Sequence, residues 1–200
     1  MKKHIVTAVL YTVVTAVLLG VVYPLAVTGL AHVFFPRQAE GSLIKRADGT
    51  LVGSRLIGQT FSGPGYFWSR PSAAGNGYDA GNSGGSNYAP TNSALTTRVA
   101  ATVQTINPKG TNGPVPIDLA TASGSGLDPD ISPAAAFYQV ARVASERHMS
   151  EGAVRSLVTA HITPRQFGLL GEPRVNVLEL NLDLDNATKQ VTVLPGAAAQ

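Results

Sequence analysis

The 200-residue chain carries fifteen Lys and Arg against twelve Asp and Glu, a formal charge of +3, and no cysteine. The absence of cysteine excludes disulfides, thiol catalysis and cysteine-ligated metals. Setting Lys2 and Lys3 aside leaves thirteen basic side chains against twelve acidic ones, a balance that predicts no nucleic-acid partner.

From Ile5 to Phe35 there is no Lys, Arg, Asp or Glu. As a helix this run would be about 46 Å long, more than a bilayer core requires, so it is read as a membrane span. Lys2 and Lys3 before it predict a cytoplasmic N-terminus, with the remainder of the chain on the far side. The run is too long for the apolar region of a cleaved leader and lacks a small-residue cleavage site, so it is expected to stay as an anchor. Pro24 removes one backbone hydrogen bond and should kink or locally open the helix.

Beyond Pro36, two short apolar runs flank Asp48-Gly49, a hairpin signal. Ser62 to Asn92 is rich in Gly, Ser, Asn, Pro and Ala and contains Trp68, the chain's only tryptophan. Its Tyr66-Phe67-Trp68 cluster should pack against the domain or a partner. Gly75-Asn-Gly77-Tyr-Asp-Ala80 matches a dinucleotide fingerprint by letters alone, with no strand before it and no helix after it.

A helix is expected over Ser93 to Asn107, capped by Asn92 or Thr91 and stopped by Pro108. Val115 to Thr121 reads as an edge strand because of Pro116. A second helix starts from Ser132 and Pro133 and runs to about Arg147. Phe137, Val140, Ala141 and Ala144 are assigned to its core face, and Gln139, Arg142 and Glu146 to its polar face. A third runs from Glu151 to about His161, with Val154, Leu157 and Val158 buried.

Leu178, Leu180, Leu182 and Leu184 alternate with Glu179, Asn181 and Asp183, which predicts a half-buried strand with the polar residues on its wet face. Gln190 to Leu194 would complete a hairpin. Residues 195–200 should fray. The expected architecture is a membrane anchor over 1–36 followed by one α+β domain over 37–194, with about three helices and short hairpins.

The residues nominate no catalytic group. The four histidines show no metal-site spacing, and His148 and His161 fall at helix ends, where an imidazolium complements the dipole. No Gly-x-Ser-x-Gly elbow is present. Ser123, Gly124, Ser125, Gly126, Leu127 and Asp128 form a Gly-rich turn of the kind that can expose N–H groups to phosphate, but no Gly-Lys-Ser/Thr follows. Tyr66, Phe67, Trp68 and Arg70, with Gln139 and Arg142, are candidate partner contacts.

The order of short motifs along the chain resembles the C-subunit (KdpC) family of the Kdp potassium-transporting ATPase. Those motifs are Val22-Tyr-Pro24, Gly41-Ser-Leu-Ile44, Gly53-Ser-x-Leu-Ile-Gly-Gln-x-Phe61, Gly65-Tyr-Phe-x-x-Arg-Pro-Ser72, Ser83-Gly-Gly-Ser-Asn87, Thr121-Ala-Ser-Gly-Ser-Gly-Leu-Asp128, Val175-Asn-Val177 and Leu180-Asn-Leu-x-Leu184. The resemblance implies a single-span accessory subunit of a bacterial inner-membrane complex that imports potassium at the expense of ATP. Its partners would be an ATP-hydrolysing subunit and a channel-like subunit, besides membrane lipid.

It also implies a catalytic-chaperone role that raises the hydrolysing subunit's affinity for ATP, with ATP itself as a ligand at Ser123–Asp128. Trp68, Ser69 and Asp130 depart from the family pattern, and a carboxylate at 130 would repel phosphate at short range. Lys2 and Lys3 place the domain outside, in the periplasm, where ATP is absent. Assembly and stabilisation are therefore the expected role, with nucleotide binding at the loop as the alternative and an independent periplasmic hydrolase as a third reading.

Overall fold

A computed structural model describes residues 1–46, 48–108, 110 and 113–193. They divide into two compact units, Met1–Ser54 and Arg55–Gln200. The expected tail at 195–200, and Leu194 of the expected hairpin, lie outside the described residues.

In the first unit, α1 (Lys2–Val17), a π-helical turn (Leu18–Val22) and α2 (Tyr23–Phe34) form one apolar helix of 33 residues, long enough to cross a membrane, with no buried residue. The π turn immediately precedes Pro24. A proline cannot supply the N–H that the preceding turn would use, and the helix is wound more widely over Leu18–Val22. A single turn, α3 (Pro36–Ala39), then leads to β1 (Leu43–Lys45) and β2 (Leu51–Ser54), which pair antiparallel. The Asp48-Gly49 turn closes this hairpin, and Asp48 Oδ1 accepts from the Thr50 N–H.

The second unit mixes helices with a small sheet. Helix α4 (Ser93–Ile106) is capped by Asn92, whose Oδ1 accepts from the Ala94 N–H. The stretch read as an edge strand instead forms a turn of helix, α5 (Ile117–Ala120), which buries Leu119 and Ala120. Pro116 is the N-cap, extended at φ −55° and ψ 140°, and its carbonyl accepts from the Leu119 N–H, so the chain turns into the helix at the residue after it. Then follow β3 (Asp130–Ile131), α6 (Pro133–Arg147), α7 (Glu151–Ala160), β4 (Ile162–Thr163), β5 (Arg174–Asn176) and α8 (Val177–Val193). The sheet runs β3-β5-β4, antiparallel throughout, with Val175 opposite both Ile131 and Ile162.

Serine caps start α6 and α7, with Ser132 and Ser150 accepting from Ala135 and Ala153. Their inner faces, with β5, α8 and Phe67, make the core: Ala136, Val140, Val143, Val154, Val158, Val175, Leu180 and Leu184 among others. Gln139, assigned above to the polar face of α6, is buried, whereas Ala141 is exposed.

The largest correction is α8, where a strand hairpin was expected. The buried positions are Val177, Leu178, Leu180, Asn181 and Leu184, a helical i, i+1, i+3, i+4, i+7 stripe rather than a two-residue alternation. Leu182 falls outside that stripe and Asn181 inside it. Leucine favours helix over strand, and Asn176 caps the first turn by accepting from the Glu179 N–H at 3.1 Å.

Candidate functional site

The long Gly- and Ser-rich segment has no regular secondary structure from Ser62 to Asn92, yet it is threaded through the domain. Two buried amides do the threading. Asn181 of α8 accepts from the Phe67 N–H and donates to the Phe67 carbonyl, both at 2.9 Å. Gln139 of α6 accepts from the Trp68 N–H at 2.8 Å and donates to the Trp68 carbonyl at 3.2 Å. Consecutive backbone units thus find side-chain partners where a strand would have found a ladder, which satisfies buried polar groups without extending the sheet.

Two arginines lie over the same aromatics. Arg142 stacks 3.8 Å above the Trp68 ring and donates to the Tyr66 and Pro64 carbonyls. Burial lowers its pKa to about 10, so it remains cationic at neutral pH. Arg147 lies 4.4 Å from the Tyr66 ring, pairs with Asp185 at 2.8 Å and donates to the Gly65 carbonyl.

The loop from Ser123 to Asp128 joins this assembly through its backbone. The Ser125 carbonyl accepts from the Gly84 N–H and the Ser83 hydroxyl, the Gly126 carbonyl from Ser72, and the Leu127 carbonyl from the Gly58 N–H. Asp128 pairs with Arg70 at 3.0 Å and accepts from the Asp130 N–H. Ser125 Oγ accepts from the Leu127 N–H, closing the turn on itself. At Gly58 an added Cβ would lie 2.5 Å from the Asp128 carbonyl oxygen, so the two segments touch at backbone distance. Gly58 and the motifs at 65–72, 83–87 and 121–128, dispersed in sequence, are therefore neighbours in space.

Beside the loop opens a cleft of about 400 Å³, lined by Arg70, Asp118, Asp128, Asp130, Glu172 and Arg174 among others. Asp118 accepts from the Ser132 N–H at 2.7 Å and Arg174 pairs with Asp130 at 3.1 Å. Burial raises the pKa of Asp130, against the opposing pull of the Asn176 amide and the Arg174 guanidinium, and the Asp128 charge raises it further. Four carboxylates face two guanidiniums here.

Of the nominated residues, Phe67 and Gln139 are buried in the domain; Tyr66, Trp68, Arg70 and Arg142 are half-buried and bound to neighbouring segments. Ser123 and Ser125 lie at the surface side of the loop, 3.4 Å apart. His161 ends α7, with Nδ1 2.9 Å from the Leu157 carbonyl and Nε2 3.0 Å from Asp183, and His148 ends α6. Asn181, Arg147, Asp185 and Gly58 were missed as organisers of the site. The signal for the first of them was Asn176-x-x-Glu179, a helix-start pattern hidden by the leucine alternation.

The sequence model of one family, KdpC, described as K+-transporting ATPase, c chain, matches residues 5–186. A potassium-transporting ATPase KdpC subunit from Koribacter versatilis is 59% identical over 192 residues, covering 96% of this chain and 99% of the relative. Its counterpart from Acidobacterium capsulatum is 63% identical over 183 residues, 92% and 98% of the two chains. One from Gemmatimonas aurantiaca is 55% identical over 188 residues, 93% and 94%. The matched span, residues 5–186, takes in the apolar helix, the threaded segment and the Gly-rich loop, and the chain belongs to the KdpC family, the c chain of K+-transporting ATPase.

Proposed function

We propose that this chain is a non-catalytic subunit that assembles and stabilises its potassium-transporting ATPase complex, with its soluble domain on the side of the membrane opposite the N-terminus. The observation that carries this reading is the engagement of the Ser123–Asp128 loop. Its carbonyls are bound by Gly58, Ser72, Ser83 and Gly84 and its carboxylate by Arg70, and it borders a cleft with an excess of acidic groups. Carboxylates at short range disfavour a polyphosphate. Lys2 and Lys3 at the head of an otherwise uncharged helix support the orientation.

In this reading, potassium passes through a channel-like companion and ATP is hydrolysed by another. The rise in ATP affinity that the family resemblance implies is transmitted through protein contacts, with no phosphate held at residues 123–128. Direct nucleotide binding at the loop is the competing reading.

The native chain has no cysteine, so single cysteines introduced at position 125 and beside the N-terminus can be probed cleanly. A membrane-impermeant thiol reagent applied to intact spheroplasts should label the first and spare the second. Labelling at 125 from the cytoplasmic side alone, or saturable ATP binding by the full-length subunit that is lost in Ser123→Ala, would overturn the proposal.

A further inference from the structure

The connection between β4 and β5 ends in a tight, ordered tip that the core does not cover. Gln166 and Leu170 exchange backbone hydrogen bonds at 2.9 Å in each direction, and the Leu169 N–H donates to the Gln166 carbonyl at 3.2 Å. Arg165 and Glu172 pair at 2.6 Å across the base. Phe167 and Gly168 at the tip have φ of 54° and 75°. A left-handed backbone is natural for glycine and unfavourable for a bulky aromatic residue.

The fold nevertheless holds Phe167 there with 85% of its surface exposed, beside Leu169 at 80% and Leu170 at 60%. Three large apolar side chains grouped on one preformed turn are unlike the single exposed apolar residues scattered over ordinary surfaces. A rigid turn also loses little entropy when its side chains are buried by a partner.

Charge selects the kind of partner. Glu172, at the base of the turn, also lines the cleft, where Asp118, Asp128, Asp130 and Glu172 face Arg70 and Arg174. The turn and the cleft are therefore one continuous surface, apolar at one end and acidic at the other. A loop that inserts into anionic lipid is normally ringed by Lys and Arg. Here the unit Arg55–Gln200 carries ten Lys and Arg against ten Asp and Glu, Arg165 at the base of the turn is neutralised by Glu172 and Arg174 by Asp130, and the acidic excess lies in the adjoining cleft, where four carboxylates face two guanidiniums. The complement is a protein surface with an apolar pocket and a basic side chain next to it.

We propose that the Gln166–Leu170 turn and the adjoining acidic cleft form a docking surface for a companion subunit of the transport complex. Phe167 enters an apolar pocket of that subunit, and one of its Lys or Arg side chains enters the cleft. This rests on the reading of the chain as an assembling subunit.

The test places a photo-reactive phenylalanine analogue at position 167 of the full-length chain, co-expressed with the other subunits in membranes. The expected result is a covalent adduct with a companion subunit. In parallel, Phe167→Asp and Glu172→Lys should each lower recovery of the companions on affinity purification at least tenfold, while the thermal melt of the isolated full-length subunit stays at the wild-type value. An adduct with lipid alone, with a second copy of this chain, or with nothing, while the wild type still brings down its companions, would overturn the docking surface and leave the assembly reading intact. Unchanged recovery of Glu172→Lys would remove the cleft from it. Failure of the wild type itself to recover any companion would overturn both.

Discussion

Asn181 holds Phe67 by both of its backbone polar groups, donor to acceptor and acceptor to donor, at 2.9 Å each. The two residues are 114 positions apart, and both are buried. In Asn181→Ala, a buried N–H and a buried carbonyl lose their partners together, each costing about 1–3 kcal/mol. The variant should therefore be destabilised by about 3 kcal/mol. Urea unfolding of the full-length chain in detergent checks this, followed by the fluorescence of Trp68, the next residue and the only tryptophan. Asn181→Asp keeps the acceptor but places a carboxylate against the Phe67 carbonyl, and should be at least as damaging.

This contact also marks where the sequence was legible and where it was not. The membrane helix, the Asp48-Gly49 hairpin and the capped starts of α4, α6 and α7 are local events: a charge-free run, a turn dipeptide, or an Asn or Ser ahead of an apolar period. Local chemistry decides them, and it can be read without knowing the rest of the chain. The last helix could not be read in the same way, because Leu178, Leu180, Leu182 and Leu184 satisfy a period of two and, with one member left out, a helical period as well. Only the partner decides: Asn181 is needed inside, facing Phe67, and a strand would have turned it out with Asp183. Gln139 follows the same logic. Its amide was assigned to water by residue type, whereas the Trp68 backbone required it in the core. The threaded segment has no ladder of its own, so its structure is encoded in residues on other elements.

Arg147 ties two residues of that segment to α8. It pairs with Asp185 at 2.8 Å, donates to the Gly65 carbonyl at 2.7 Å and lies against the Tyr66 ring. The pair is largely shielded, with 15% and 24% of the two side chains exposed, so removing one partner leaves a poorly solvated charge. Arg147→Met should cost about 3 kcal/mol by the same unfolding measurement. Combined with Asp185→Asn, the loss should be smaller than the sum of the two single losses by about 1 kcal/mol, since the double variant leaves no orphaned charge.

Asp130 gives a pH dependence with a defined sign. Burial raises its pKa above the ordinary 3.8, so in the window just above that value the folded state holds a proton that the unfolded state has released. Stability contributed by this group therefore falls as pH rises through the window and is not regained above it. Asp130→Asn removes the titration while keeping an oxygen to accept from Asn176. Its stability relative to wild type should be more favourable at pH 7 than at pH 4, as measured by paired urea midpoints. An equal difference at both pH values would show that the carboxylate carries no burial penalty.

Gly126 and Gly124 separate a structural loop from a ligand-binding one. Gly126 has φ +66°, and a Cβ there would lie 2.6 Å from both the Ala74 nitrogen and the Gly84 carbonyl oxygen. Neither backbone atom can move without breaking the bonds that join the loop to residues 72–84. At Gly124 an added Cβ would meet nothing within 4 Å. Gly126→Ala should thus cost about 2–3 kcal/mol through strain and displacement, and should reduce recovery of the assembled complex in proportion to the unfolded fraction. Gly124→Ala should change stability by less than about 0.5 kcal/mol and leave assembly and transport at wild-type levels. If the loop instead cradled phosphate, the exposed Gly124 would be a place where the ligand approaches, and its alanine variant would lower transport while the melt stayed unchanged. Potassium-limited growth of cells carrying each variant, set beside the two melts, distinguishes the outcomes.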